Sequence, residues 1–190
     1  TPDGRIYLST SIGASPTFLR CAEKVIIELN HYHSVRLNEM ADIHILPSPP
    51  NRSPISIYTP MDKIGLPYMA IDPKKIVGVV ENDQPDGNAP LEAPNEVHHK
   101  IAEQVVDFLL EELAVGRIPK DFLPLQAGVG NIANAVMAVL GEAPEIPPFY
   151  MYTEVLQDSL IDLMQSGKLL GVSSTSLTIS DEILKKVYEN

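Results

Sequence analysis

The sequence contains no tryptophan and only one cysteine, Cys21, in 190 residues. A single thiol excludes an internal disulfide and fits a reducing compartment, the cytoplasm or an organelle matrix. Flanked by apolar helix positions, Cys21 reads as a small core residue. Without tryptophan there is no indole platform for stacking sugars, so a two-carboxylate glycosidase pair is unsupported. Cations are scarce too: 14 Lys and Arg stand against 25 Asp and Glu, for a formal net charge of -11. Binding a phosphate backbone needs clustered Lys and Arg, which excludes nucleic acid as the expected partner. No apolar run approaches the roughly 18 residues that mark a membrane-spanning helix, so no membrane partner is expected. The opening "TPDGRIYLST" lacks the basic and apolar regions of a signal peptide, and its first residue, Thr1, suggests an excerpt or a processed chain.

What is present is a core-forming chain, 44% apolar, in which strand and helix patterns alternate. Residues 4–11 alternate and are β-rich. Ser15-Pro16 then supplies an N-cap and a first-turn proline for a short helix through Phe18, Leu19 and Ala22. "KVIIELN" (24–30) reads as a strand covered on both faces, as in a parallel sheet, and completes a β-α-β unit with the strand and helix before it. "KKIVGVVEND" (74–83) reads as a further buried strand. "DIHILP" (42–47) is a further short strand, and the proline-dense segment 47–67 is an excursion with little regular structure. Turn formers fill 84–94, which sets the expected domains at 1–93 and 94–190.

Beyond that boundary Asn95 caps a helix with Val97, Ile101, Val105, Leu109 and Leu113 on its inward stripe, ended by Gly116. The strand "FLPLQ" from Phe122 leads into a glycine turn and a helix that starts at Asn131, with Ile132, Val136, Val139 and Leu140 inward. A buried strand, "FYMYT", then ends on Thr153 and Glu154. Next come a helix over Asp158–Gln165 with Leu160, Leu163 and Met164 inward, a strand over "KLLGVSS", and a last helix capped by Ser180. The expected fold is α/β with mostly parallel sheets.

Two constellations could carry chemistry. "GVGNIANAV" (128–136) puts Gly128 and Gly130 between a strand and a helix, where positive φ and unpaired helix-start amides can cradle an anion. A bare G-x-G reads equally well as a tight structural turn. It lacks the third glycine of a dinucleotide fingerprint and the lysine of a P-loop. Glu154 lies at the end of an apolar strand, where an unpaired carboxylate is costly unless used. The plain alternative is a strand-end glutamate that reaches solvent. His31 and His33 share a face if extended, but no second cysteine and no compact carboxylate set completes a metal site, so none is expected.

The blocks "LPLQAGVGNIANAV" and "MYTEVLQDSLIDLMQSGKL", with "PTFLRCAEKVIIELN" and "NAPLEAPNEVHHKIA" upstream, make the sequence resemble the acetyl-CoA hydrolase/transferase family, close to its succinyl-CoA:acetate CoA-transferases. The resemblance covers nearly the whole chain and only the central part of such enzymes. It implies parts of two related CoA-transferase-like α/β domains with the active site between them, and admits a homodimer. It makes Glu154 the catalytic carboxylate and Gly128, Val129, Gly130, Asn131, Ala133 and Asn134 the loop lining the acyl-CoA site. No tightly bound cofactor is implied. Coenzyme A enters as the acyl-CoA substrate, and short carboxylic acids, acetate or succinate, are the acceptors. The implied chemistry is covalent, through a glutamyl-CoA thioester, and a glutamate carboxylate, ionised at neutral pH in water, needs no Ser-His-Asp apparatus for it. Net acyl-CoA hydrolysis by the same glutamate is the first alternative, and a noncatalytic anion-binding or interaction module the second.

Overall fold

A computed structural model of the chain describes residues 3–88 and 93–189. The turn-former segment expected at the domain boundary therefore lies partly outside the described residues, at 89–92. Two compact units emerge, Thr1–Gly87 with Leu184–Asn190, and Asn88–Ile183.

In the first unit, β1 (Arg5–Ile6) pairs antiparallel with β3 (Met69–Ala70), and β2 (Val25–Asn30) pairs parallel with β4 (Ile76–Asn82). The expected strand over 4–11 is thus only two residues long. Helix α1 (Ser15–Cys21) takes Ala14 rather than Ser15 as its N-cap, with Pro16 inside the first turn, where its missing N–H costs nothing. Cys21 is exposed, not a core residue. The expected β-α-β unit of the first two strands does not form, because β1 pairs antiparallel with β3 while β2 takes β4 as its parallel partner. Burial of these strands falls short as well: Ile26 is 65% exposed and Val79 61%. Among the described residues this sheet consists of the two strands alone, and the faces that carry these side chains are left uncovered.

The expected strand at 42–47 reduces to one antiparallel bridge between Ile43 and Leu66. The Asp42 carboxylate accepts from the backbone N–H groups of Ile64 and Gly65, which fixes the segment as a loop clamp. Gly65 is required there, because a Cβ would stand 2.3 Å from the Ile43 carbonyl oxygen. Gly65→Ala should therefore cost about 1–3 kcal/mol, since backbone, not a movable side chain, blocks the methyl. A urea titration of the full-length protein measures this; an unchanged midpoint would mean that the clamp is not rigid.

The second unit holds α2 (Glu96–Ala114), α3 (Asn131–Glu142), β5 (Phe149–Leu156), α4 (Asp158–Gln165) and β6 (Leu169–Leu177). Asn95 caps α2 as expected: its side chain accepts from His98 N–H, and His98 Nδ1 accepts from Asn95 N–H. The buried line of α2 is Ala102 and Val106, one position round from the expected stripe, and Val97 is exposed. Small Ala102 at the centre allows α2 to pack closely on α3. Helix α3 begins at Asn131 and buries Leu140 as expected, but its other buried residues are Ala135 and Met137, and Ile132 is exposed.

Strand β5 pairs parallel with β6 on one side and bridges Leu125 in parallel on the other. Pro124 has no N–H to donate and Phe122 has a φ of 58°, so the expected strand from Phe122 shrinks to this single bridge. Phe149, Met151, Thr153 and Val155 point inward, and Phe149 packs against Phe122 at 5.9 Å between ring centroids. Helix α4 buries Leu160 and Leu163 and leaves Met164 partly exposed. Lys168 Nζ donates to the carbonyls of Ala143 (2.6 Å) and Ile146, tying the end of α3 to the start of β6. Burial pushes its ammonium below the usual lysine range, against an opposing pull from Glu145. No helix among the described residues is long and apolar enough to cross a membrane.

Candidate active site

The alternation of β5 decides where Glu154 goes. Odd positions point into the core, so Tyr150, Tyr152 and Glu154 lie on the outward face, and the Glu154 side chain is exposed. This corrects the expectation of a strand buried around the glutamate: the carboxylate is not buried, and no desolvation cost has to be offset. Nor does the strand end there, since Val155 and Leu156 continue the pairing with β6. The Glu154 carbonyl is held by Thr175 Oγ1 at 2.8 Å, which fixes the backbone beneath the side chain.

Beside it, at the same carboxyl end of the parallel sheet, runs the glycine turn. The Leu125 bridge sets the path, with Leu125 N–H on the Tyr150 carbonyl and Tyr152 N–H on the Leu125 carbonyl, both at 3.0 Å. Three side chains from β5 and α4 then pin the following residues. Thr153 Oγ1 accepts from Ala127 N–H (3.1 Å) and donates to the Ala127 carbonyl (2.9 Å). Gln157 Nε2 donates to the Gly128 carbonyl at 3.1 Å. Ser159 Oγ donates to Asn134 Oδ1 at 3.3 Å, which leaves the amide nitrogen of Asn134 for another partner.

Gly130, the N-cap residue of α3, has a φ of 142°, a value that a residue with a Cβ rarely adopts. Gly128 does not have positive φ, contrary to expectation. A Cβ at either glycine would meet nothing within 4 Å, so the turn faces open space. The first amides of α3 have no side-chain cap and supply donors on this side. Gly128, Val129, Gly130, Asn131, Ala133 and Asn134 thus form one continuous turn and first helical turn at the carboxyl end of the sheet that carries Glu154.

Thr153 and Gln157 were not singled out by sequence reasoning. The signal for Thr153 is a polar residue at an inward position of an alternating strand. For Gln157 it is a glutamine, 3% exposed, at the N-cap of α4. Its Oε1 is the single buried side-chain polar atom among the described residues without a hydrogen-bond partner, a defect worth about 1–3 kcal/mol.

The histidines serve other ends. His33 places Nε2 on Asp86 Oδ1 and Nδ1 on the Tyr188 hydroxyl, both at 3.1 Å, while Thr10 Oγ1 donates to Asp86 Oδ2, all within the first unit. His31 lies 3.9 Å from Glu81 on the surface. Among the described residues no three His, Cys, Asp or Glu side chains converge as a metal site.

Known proteins match the chain along its whole length. Residues 1–81 match the model of the acetyl-CoA hydrolase/transferase N-terminal domain. The chain is 57% identical over 189 residues to a propanoyl-CoA:succinate CoA transferase of Escherichia coli (strain K12), covering 100% of this chain and 38% of that protein. The chain is similar to the acetyl-CoA hydrolase/transferase family. Another relative, an acetyl-CoA hydrolase of Schizosaccharomyces pombe, is 42% identical over 190 residues, covering 100% of this chain and 36% of that protein. The chain therefore spans little more than a third of the length of these relatives. Among solved structures, a 4-hydroxybutyrate CoA-transferase from Porphyromonas gingivalis superposes with a TM-score of 0.61 at 18% identity, over 100% of this chain and 40% of that one. That likeness establishes a CoA-transferase-like α/β fold.

Proposed function

We propose that the full-length protein is an acyl-CoA:carboxylate CoA-transferase, acting on acetyl-CoA or succinyl-CoA with acetate or succinate as acceptor, and that Glu154 is its covalent nucleophile. The observation that carries this reading is the juxtaposition of an exposed carboxylate on β5 with a glycine turn pinned to the same strand and open on its other side. In this reading Gly128, Val129, Gly130, Asn131, Ala133 and Asn134 line the acyl-CoA site.

A carboxylate oxygen of Glu154 attacks the thioester carbonyl carbon. The C–S bond breaks, CoA leaves as thiolate, and an acyl-glutamyl anhydride remains. The thiolate then attacks the glutamyl carbonyl and expels the acyl group as its free carboxylate, leaving a glutamyl-CoA thioester. The acceptor carboxylate runs the two steps in reverse. Anhydride formation from a thioester is uphill, so interactions with the remote CoA body must be expressed at the reacting carbonyl. Water has to be kept from both acyl-glutamate species.

Mixing the full-length protein with acyl-CoA, reducing with borohydride and mapping peptides by mass spectrometry is expected to convert the Glu154 carboxyl to the alcohol. An unmodified Glu154 under turnover conditions would remove the covalent reading. The similarity to an acetyl-CoA hydrolase supports a second reading, in which water replaces the acceptor at the same glutamate. Acetyl-CoA consumption measured with and without succinate separates the two, since consumption indifferent to succinate sinks the transferase.

A further inference from the structure

We propose that Gln157 is a positioning residue of this site: its side-chain amide holds the Gly128 carbonyl toward β5 and thereby presents the Val129 N–H to the ligand side of the turn. The inference rests on the reading of Glu154 and the turn as an acyl-CoA site.

The geometry follows from one planar peptide. In a trans peptide the carbonyl of one residue and the N–H of the next point in opposite directions. Gln157 Nε2 takes the Gly128 carbonyl at 3.1 Å, so the Val129 N–H is aimed away from Gln157, and it donates to no backbone carbonyl among the described residues. The glycines on either side of Val129 leave that direction clear. The amide orientation of Gln157 is fixed by the same bond, because a flipped amide would set oxygen against oxygen.

The unpaired Oε1 argues that the arrangement is not there for stability. Gln157 is buried, makes one hydrogen bond and leaves its acceptor without a partner. The carbonyl that it holds belongs to an exposed residue, at the edge of the turn rather than in the core. An apolar side chain of similar length would fill the same space and remove the orphan. A residue retained for packing alone would be better as methionine; glutamine adds only the aim of the Gly128–Val129 peptide.

The experiment uses the full-length protein with Gln157→Met, Gln157→Glu and Glu154→Ala, measuring thermal midpoint and kcat/KM for acyl-CoA across pH. Gln157→Met is expected to keep or raise the midpoint while kcat/KM falls about 10- to 100-fold, the loss expected from a donor misaimed rather than deleted. Gln157→Glu can hold the carbonyl only when its carboxyl is protonated, so its activity relative to wild type should rise as pH falls, a response that packing does not produce. Wild-type kcat/KM in Gln157→Met, a loss of activity matched by a loss of folded protein, or a pH-independent activity ratio for Gln157→Glu would each overturn the assignment. Failure of the underlying reading is distinct: Glu154→Ala would then retain turnover, whatever the Gln157 variants do.

Discussion

Glu154→Ala in the full-length protein is expected to reduce acyl-CoA turnover about 10⁴-fold or more, with no measurable change in stability. The first part follows from covalent catalysis: without the carboxylate there is no anhydride and no glutamyl thioester, and losses on deleting a nucleophile reach this size or larger. The second follows from exposure. Glu154 lies on the open face of β5 with its side chain exposed, and Thr175 holds its carbonyl. A surface truncation of this kind stays within about 0.5 kcal/mol. The two halves together exclude unfolding as the cause of inactivity. Glu154→Gln keeps the shape and loses the nucleophile, so it should match alanine. Glu154→Asp keeps the nucleophile but retracts it by one methylene, and misplacement by about 1 Å can cost roughly 10²-fold. The measurement is a CoA-ester assay with an unfolding curve for each variant. Turnover retained in Glu154→Ala and Glu154→Gln would leave direct attack by the acceptor on a noncovalently bound acyl-CoA.

Much of this was legible along the chain, because local signals sufficed. The start of α3 at Asn131, the cap of α2 at Asn95 and the bounds of α4 are set by residues within a turn of the event. The strand over 24–30 was legible from its continuous apolar run, but its partner was not, since β2, which ends at Asn30, pairs with β4, which starts only at Ile76, rather than with β1. Nor were the faces. A continuous apolar run says that a strand tolerates two covered faces, not that both are covered, and Ile26 and Val79 stand in the open. On α2 the buried line runs through Ala102, which a reading weighted toward large apolar residues passes over. Phe122–Leu125 looked like a strand until Pro124 and the left-handed Phe122 reduced it to one bridge. Glu154 and the glycine turn stood out by residue type. Thr153 and Gln157 did not, because their partners lie 26 and 29 residues away and meet them only after β5 and Leu125 have paired.

Thr153→Val should destabilise the second unit by about 2–4 kcal/mol, although it exchanges only a hydroxyl for a methyl of equal size. Thr153 Oγ1 serves both polar groups of Ala127, accepting from its N–H and donating to its carbonyl, and both residues are buried. Valine leaves both backbone groups without a partner and without water, and each such loss costs about 1–3 kcal/mol. Thr153→Ser retains the hydroxyl and should lose no more than about 1.5 kcal/mol, the price of one buried methyl. Urea unfolding of the full-length variants reads the difference. Amide hydrogen exchange reads its location, with Ala127 N–H expected to lose protection ahead of the β5–β6 ladder. Equal midpoints for valine and serine would mean that the turn finds other partners. The contrast with Gln157 is the sharper consequence. Thr153 closes a buried pair and Gln157 leaves a buried oxygen open, so apolar replacement should cost stability at the first and none at the second. Both release the turn beside Glu154, and both should lower turnover, which separates the anchoring of the turn from the stability of the fold that carries it.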